Sequence, residues 1–258
     1  MHNAAFRELG LDYIYVPFNV QPEELEAAVN GIRALNLVGV NVTIPHKERV
    51  TEFLDWISDE ARQIGSVNTI HNVQGVLKGY STDGAGFIRA LEAAGKSPKG
   101  SKAAVLGAGG SARAIVWALV EHGADVTVAN RTYNRAVELS ELVNTAKGIN
   151  IVKPVALDSA DAREAVLGAN LLVNCTSVGM YPNADAQPIP SEWLHAELFV
   201  YDQIYNPTET NLIKAARAVG AEAVNGIGML VFQGAISFEL WTGQTVSVEI
   251  MQKAVIAE

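Results

Sequence analysis

Between Lys102 and Thr132 an apolar run is followed by Gly107-Ala108-Gly109-Gly110-Ser111-Ala112, then an apolar helical stretch, then Asp125-Val126-Thr127-Val128-Ala129 closing on Asn130-Arg131-Thr132. Strand, glycine turn, helix and strand in that order leave few folds open, and each glycine has a physical task. Gly107 permits the tight turn, Gly109 lets the backbone approach a pyrophosphate, and the small Ala112 lets the helix pack on the strand, so that phosphates meet a helix N-terminus. An ordinary α/β domain with a Gly-rich turn and no ligand is the competing reading, and the strands on both sides argue against it. About 20 residues beyond the first glycine an NAD site presents Asp or Glu to the ribose hydroxyls. This chain presents Asn130, Arg131 and Thr132 there. A guanidinium at that edge favours the 2′-phosphate of NADP.

The 258 residues, 49% hydrophobic and 18% charged, suffice for one large or two modest cores. A net charge of −9 argues against nucleic acid or an anionic membrane as partner and for a soluble enzyme with a small-molecule substrate. Cys175 stands alone, and no His/Cys cluster has metal-ligand spacing, so a reducing, cytoplasmic setting and no metal are expected. The most apolar tract, Ile227 to Trp241, carries Gln233 and Glu239 and reads as a buried helix, not a membrane span. Met1-His2-Asn3 opens directly into structured sequence, and no signal peptide is expected. The oligomeric state is left open, a homodimer among the options.

Hydrophobic spacing predicts a strand over Tyr13 to Val20, a helix over Pro22 to Leu35 and a strand from Gly39 to Thr43, together a βαβ unit. A short helix follows at Asp59 to Ile64, then a hairpin of Asn68 to His71 with Gly75 to Gly79 around Asn72-Val73-Gln74, and a helix from Asp83. Beyond the helix at Gly110, the pattern gives a helix over Tyr133 to Thr145 and strands at Ile151 to Ala156, Leu171 to Asn174 and Phe199 to Asp202. A helix at Thr210 to Ala218, a strand at Glu222 to Asn225 and helices at Gly228 to Trp241 and Val246 to Ala257 complete it. Alternation of this kind means an α/β protein with a parallel sheet. The expected division is a Rossmann-type, NADP-binding domain over residues 84–225, inserted into a smaller α/β substrate domain of residues 1–83 completed by the helices of 226–258.

Several polar residues stand out against this frame. In Asn41-Val42-Thr43-Ile44-Pro45-His46-Lys47 a buried strand is expected to end at Thr43, with Pro45 in the first turn of a helix. Lys47 then falls near a helix N-terminus, where the macrodipole disfavours cations, which suggests use; a solvated surface lysine is the bland alternative. Asp83 in Ser81-Thr82-Asp83-Gly84 serves equally well as an N-cap or as a functional carboxylate. Asn68 precedes a strand where a turn-forming Asn would be unsurprising. Tyr205-Asn206-Pro207 and Gln233 complete the set; a Gln on an apolar helix needs a partner, backbone or ligand, once buried.

In this order the segments resemble the shikimate dehydrogenase family over the whole chain. The resemblance rests on His2-Asn3-Ala4-Ala5-Phe6, Asn41 to Lys47, Ser66-Val67-Asn68-Thr69, Thr82-Asp83, Gly107 to Gly110, Asn130-Arg131-Thr132, Asn174 to Met180, Tyr205-Asn206-Pro207 and Gly226 to Ala235. It implies NADPH-dependent, reversible reduction of 3-dehydroshikimate to shikimate. It also implies Lys47 and Asp83 as the catalytic pair, Asp83 holding Lys47 charged and aimed, with Thr43, Asn68, Tyr205 and Gln233 on the substrate. Thr176, Ser177, Gly226 and Met229 fall, by the same resemblance, at the nicotinamide end of the cofactor. Gly107, Ala108, Gly109, Gly110 and Ser111 with Asn130, Arg131 and Thr132 cover its phosphates and ribose.

The chain departs from the family at its start. Members open with a strand and a Ser-x-Ser loop just upstream of the segment matched by His2-Asn3, and this sequence has neither. Weak handling of shikimate beside normal NADP binding, and an exposed, association-prone sheet edge, are the expectations that follow. Two further readings stay beside the main one: a quinate/shikimate dehydrogenase using NAD, and a nucleotide-binding remnant with impaired turnover. Arg131 discriminates the first.

Overall fold

In the computed structural model, which describes residues 1–256, the chain divides into two units. One comprises Met1–Arg89 and the residues from Gly228 onward; the other is Ala90–Ile227. The cuts fall inside a helix begun at Asp83 and at the first residue of the long apolar helix, a few residues from the expected 84 and 225.

The first unit opens with α1 (His2–Glu8) and α2 (Leu25–Ala34), the latter preceded by a 3₁₀ turn at Pro22–Glu24. Strands β1 (Gly39–Asn41) and β2 (Trp56–Ile57), helix α3 (Asp59–Ile64), strands β3 (Thr69–Val73) and β4 (Val76–Tyr80) and helix α4 (Asp83–Ala93) follow. The sheet runs β1-β3-β4-β2, with β1 antiparallel to β3. Leu25, Val29 and Ile32 recur on one face of α2 and pack on Val50, Val67, Ile70 and Leu77, the apolar side of this sheet. The hairpin turns at Gln74 (φ 55°) and Gly75 (φ 89°), two consecutive left-handed residues that match the twist of the flanking strands. The Asn72 side chain accepts from the Gly75 amide at 2.8 Å and closes the turn.

The second unit is a sheet of parallel strands in the order β10-β9-β8-β5-β6-β7. In chain order its elements are β5 (Lys102–Leu106), α5 (Gly110–Glu121), β6 (Asp125–Asn130), α6 (Tyr133–Lys147), β7 (Lys153–Ala156), α7 (Ala160–Leu167), β8 (Leu171–Asn174), β9 (Phe199–Asp202), α8 (Asn211–Ala218) and β10 (Glu222–Val224). β8 and β9 are buried along their whole length, as strands with helices on both faces must be. That is why residues 171–173 and 199–201 read as apolar runs, closed by the buried polar Asn174 and Asp202. The chain returns to the first unit through α9 (Ile227–Thr242) and α10 (Val248–Ile256); the expected end of the last helix, Ala257, lies outside the described residues. Among the described residues no helix is long and apolar enough to cross a membrane.

Three local expectations are corrected. Tyr13 to Val20 has the alternation of a strand but joins no ladder: β1, at the edge of its sheet, pairs with β3 alone among the described strands. The segment is pinned by side chains instead: the Asn3 amide brackets the Tyr15 backbone at 2.7 and 2.8 Å, and the Tyr15 hydroxyl donates to Asn41 at 3.1 Å. The opening is therefore not a βαβ unit. The strand expected to end, buried, at Thr43 ends at Asn41 and is half-buried, and Thr43 itself is exposed. Pro45 begins no helix; it sits in a turn, and Lys47 precedes a 3₁₀ segment at Arg49–Phe53. A five-residue 3₁₀ helix is too short for the macrodipole argument to carry Lys47, whose partner explains it better.

Candidate functional site

Lys47 Nζ lies 2.6 Å from Asp83 Oδ2, with the lysine side chain 12% exposed and the aspartate 5%. Asp83 is the first residue of α4, yet its carboxylate does not cap the helix: Oδ2 takes Lys47, and Oδ1 accepts from Asn68 Nδ2 at 3.0 Å. The N-cap reading of Asp83 and the surface reading of Lys47 both fall on this geometry. Asn68, buried at the entry to β3, is no turn residue either. Its Oδ1 accepts from the Thr82 amide at 2.7 Å, and its Nδ2 donates also to Thr82 Oγ1 at 2.8 Å and Gln233 Oε1 at 3.1 Å. Gln233 reaches this point from α9 because α4 and α9 touch at Gly86, where any Cβ would collide with the Gln233 backbone. Its Nε2 donates back to the Leu230 carbonyl at 2.9 Å, which fixes the amide with its oxygen towards Asn68.

Lys47, Asp83, Asn68 and Gln233 are thus brought together by direct hydrogen bonds. Thr43 lies on the exposed turn four residues before Lys47, and Tyr205, 46% exposed, belongs to the other unit. The sequence reading missed Thr82 and Ser237. Ser237 bonds Thr69 Oγ1 at 2.7 Å and takes Asn41 Nδ2 at 3.1 Å. The signal was available: Ser237 is four residues after Gln233, a second polar residue on the same face of an apolar helix.

In the second unit the glycine turn has the geometry its sequence requires. Gly107 has φ +103°, and a Cβ there would press on the Cys175 carbonyl and the Thr176 methyl at 3.2 Å, so only glycine fits without strain. A Cβ on Gly109 would meet nothing, which leaves open space beside its backbone. Gly109 caps the 12-residue α5 without a side-chain hydrogen bond, at the positive end of the helix. Ala108 and Ala112 are buried beneath them. At the end of the adjacent β6, the Asn130 amide donates to the Thr132 carbonyl at 2.8 Å and shapes the bend, while the exposed Arg131 has no hydrogen-bond or ion-pair partner among the described residues. A glycine-capped helix start and an unpartnered guanidinium a strand away fit the pyrophosphate and 2′-phosphate of NADP. Thr176 is half-buried beside Gly107 and Ser177 is exposed; Gly226 is buried against the Gln203 backbone, and Met229 is buried in α9 of the first unit.

Three family models match the chain: the shikimate dehydrogenase substrate binding domain over residues 1–70, shikimate/quinate 5-dehydrogenase over 90–178, and the shikimate 5′-dehydrogenase C-terminal domain over 226–256. A shikimate dehydrogenase (NADP(+)) of Methanopyrus kandleri is 48% identical over 259 residues, which span 99% of this chain and 89% of that protein. The chain belongs to the shikimate dehydrogenase family. Among solved structures of that family, a shikimate dehydrogenase in complex with NADP+ superposes with a TM-score of 0.92 at 41% identity, covering 99% of this chain and 88% of that one. The enzyme of Thermus thermophilus in complex with NADP(H) and shikimate gives a TM-score of 0.88 at 38% identity, over 99% and 92% of the two chains.

Proposed function

We propose that this chain is an NADP-dependent shikimate dehydrogenase, reversibly reducing 3-dehydroshikimate to shikimate, with most of the residues assigned to NADP in the Ala90–Ile227 unit and most of those assigned to the substrate in the other. The observation that carries the reading is the Lys47–Asp83 pair, bonded at 2.6 Å and tied through Asn68 to Gln233, in a chain whose glycine turn suits a dinucleotide. NADPH, when bound, supplies the hydride that adds to the ketone carbon. As that C–H bond forms, the carbonyl pair moves to oxygen; Lys47 breaks an N–H bond to protonate it, and takes the proton back in the oxidative direction. Asp83 aims the ammonium and is itself held by Asn68. Thr43, Asn68, Tyr205 and Gln233 are assigned to the hydroxyls and carboxylate of the substrate. Gly107 to Ser111, Thr176, Ser177, Gly226 and Met229 are assigned to the cofactor, with Asn130, Arg131 and Thr132 at its ribose edge.

The unpartnered guanidinium of Arg131 favours NADP over NAD and so over the quinate-oxidising alternative. The same reading places the protein in the cytoplasm, in line with its single cysteine, and admits a homodimer, which light scattering on the purified protein would show. The test of function is the appearance of NADPH absorbance when the purified protein meets NADP+ and shikimate. Turnover with NADP+ and shikimate is expected; binding of NADP+ without turnover in either direction would leave only the remnant reading standing.

A further inference from the structure

Asn174 and Asp202 are the last residues of β8 and β9, paired in register at the carboxyl end of the parallel sheet, and both are fully buried. Ligands of open parallel sheets bind outside that end. Asp202 accepts from three directions: Oδ1 takes the Asn174 amide at 2.9 Å and the Ile204 N–H at 3.1 Å, and Oδ2 takes the Thr210 hydroxyl at 2.6 Å. Three donors on one carboxyl make it a pure acceptor, and a pure acceptor decides which way an amide points. With Nδ2 of Asn174 committed to Asp202, its Oδ1 faces the following turn, where it accepts from the Thr176 N–H at 3.0 Å and the Thr176 hydroxyl at 2.7 Å. The Thr176 hydroxyl, its proton spent, accepts in turn from the Val178 N–H at 3.2 Å. Every bond in this series points the same way, from the turn back to the carboxylate.

We infer that Asp202 is a positioning residue for the cofactor: through Asn174 it sets the Thr176–Val178 turn in the one arrangement that receives the nicotinamide end of NADP. The inference rests on the assignment of Thr176 and Ser177 to that end. Thr210 serves twice, holding Asp202 and capping α8 by accepting from the Ile213 N–H. In a chain without the carboxylate, Asn174 is free to turn over and present its NH₂ to the Thr176 N–H, two donors face to face.

The variants are Asp202→Ala, Asp202→Asn and Thr210→Ser, each first shown folded by near-ultraviolet circular dichroism. Asp202→Ala is expected to weaken NADPH binding about tenfold or more, because Asn174 loses the acceptor that orients it towards the Thr176–Val178 turn, while shikimate affinity by calorimetry stays unchanged. Asp202→Asn, which keeps one acceptor, should fall between it and the parent chain; Thr210→Ser, which keeps the hydroxyl, should bind like the parent. Amide hydrogen exchange at Thr176 and Val178 should quicken in Asp202→Ala without NADP present. A merely structural role would lower the melting temperature and leave these amides and the NADPH affinity where they were. Parent-like affinity together with parent-like protection in folded Asp202→Ala overturns the inference. A parent chain that binds no NADPH defeats the functional reading instead, and the exchange measurement then still decides whether the series of bonds sets the turn.

Discussion

The two units recognise by different means. In the second, the surface proposed for the cofactor is mostly backbone: the start of α5, a glycine at φ +103° and a strand end, with the exposed Arg131 beside it. In the first, the site is side chains holding side chains, Lys47 on Asp83, Asp83 on Asn68, Asn68 on Gln233. A backbone cradle tolerates variation in everything except its glycines, whereas a chain of amide and carboxylate bonds fails at any link. Damage in the first unit should therefore fall on chemistry, and damage in the second on binding.

The sharpest test of that division is Lys47→Ala, for which turnover should fall by roughly 10² to 10⁴-fold with little change in KM or in NADP affinity. A variant that turned over at the parent rate would reduce the whole network to packing. Acid distinguishes the units next. Burial in a cage of Phe6, Tyr15, Phe238 and Trp241 lowers the His2 pKa from 6.5 to about 4, so the ring is neutral in the folded first unit. Its contribution, about 3 kcal/mol at most, is whole above pH 6.5 and is lost as the pH falls through about 4. Asp202 in the second unit has the opposite sign: burial raises its pKa, so the cost of its ionisation disappears on acidification. Hydrogen exchange between pH 6.5 and 4 should show the first unit losing protection before the second, and His2→Phe should remove that loss from the first unit. If the slope survives in His2→Phe, another group is responsible.

On the binding side, Arg131→Ala should weaken NADP by about 10 to 100-fold and NAD hardly at all, the value of charge-assisted bonds to a phosphate. Equal loss for both dinucleotides would mean that the guanidinium touches something they share. Gly107→Ala, the smallest of the set, should cost about 1 to 2 kcal/mol in stability through its positive φ and should impair NADP binding without touching shikimate affinity. A denaturant titration and a shikimate calorimetry run settle it together.

The same contrast explains what the sequence revealed. The nucleotide unit was legible because its determinants are local: β8 and β9, three apolar residues closed by one polar residue each, were placed to the residue, and the glycine turn declares itself by spacing. The side-chain network was not, since Asn68 and Gln233 stand 165 positions apart and nothing in either neighbourhood names the other. Only the family resemblance put them in one site. Tyr13 to Val20 shows the limit of periodicity, because alternation reports what a segment could pair with and not whether a partner is there. Thr82, Ser237 and Asp202 were overlooked for a related reason: each works on another side chain, and its role exists only once the fold has brought the two together.

The return of α9 to the unit where the chain began also constrains how the molecule is made on the ribosome. Synthesis delivers the residues up to Arg89 before Gln233 and Ser237, which satisfy Asn68, Thr69 and Thr82, have been made. The intervening unit is continuous in sequence and can close by itself while the first waits. Ring closure over so long a span adds little entropy beyond that of a much shorter loop, so the delay is one of time more than of free energy. A chain cut just before Ile227 should already present the dinucleotide fold, and Asn68, Thr69 and Thr82 should find their final partners only once α9 has been made.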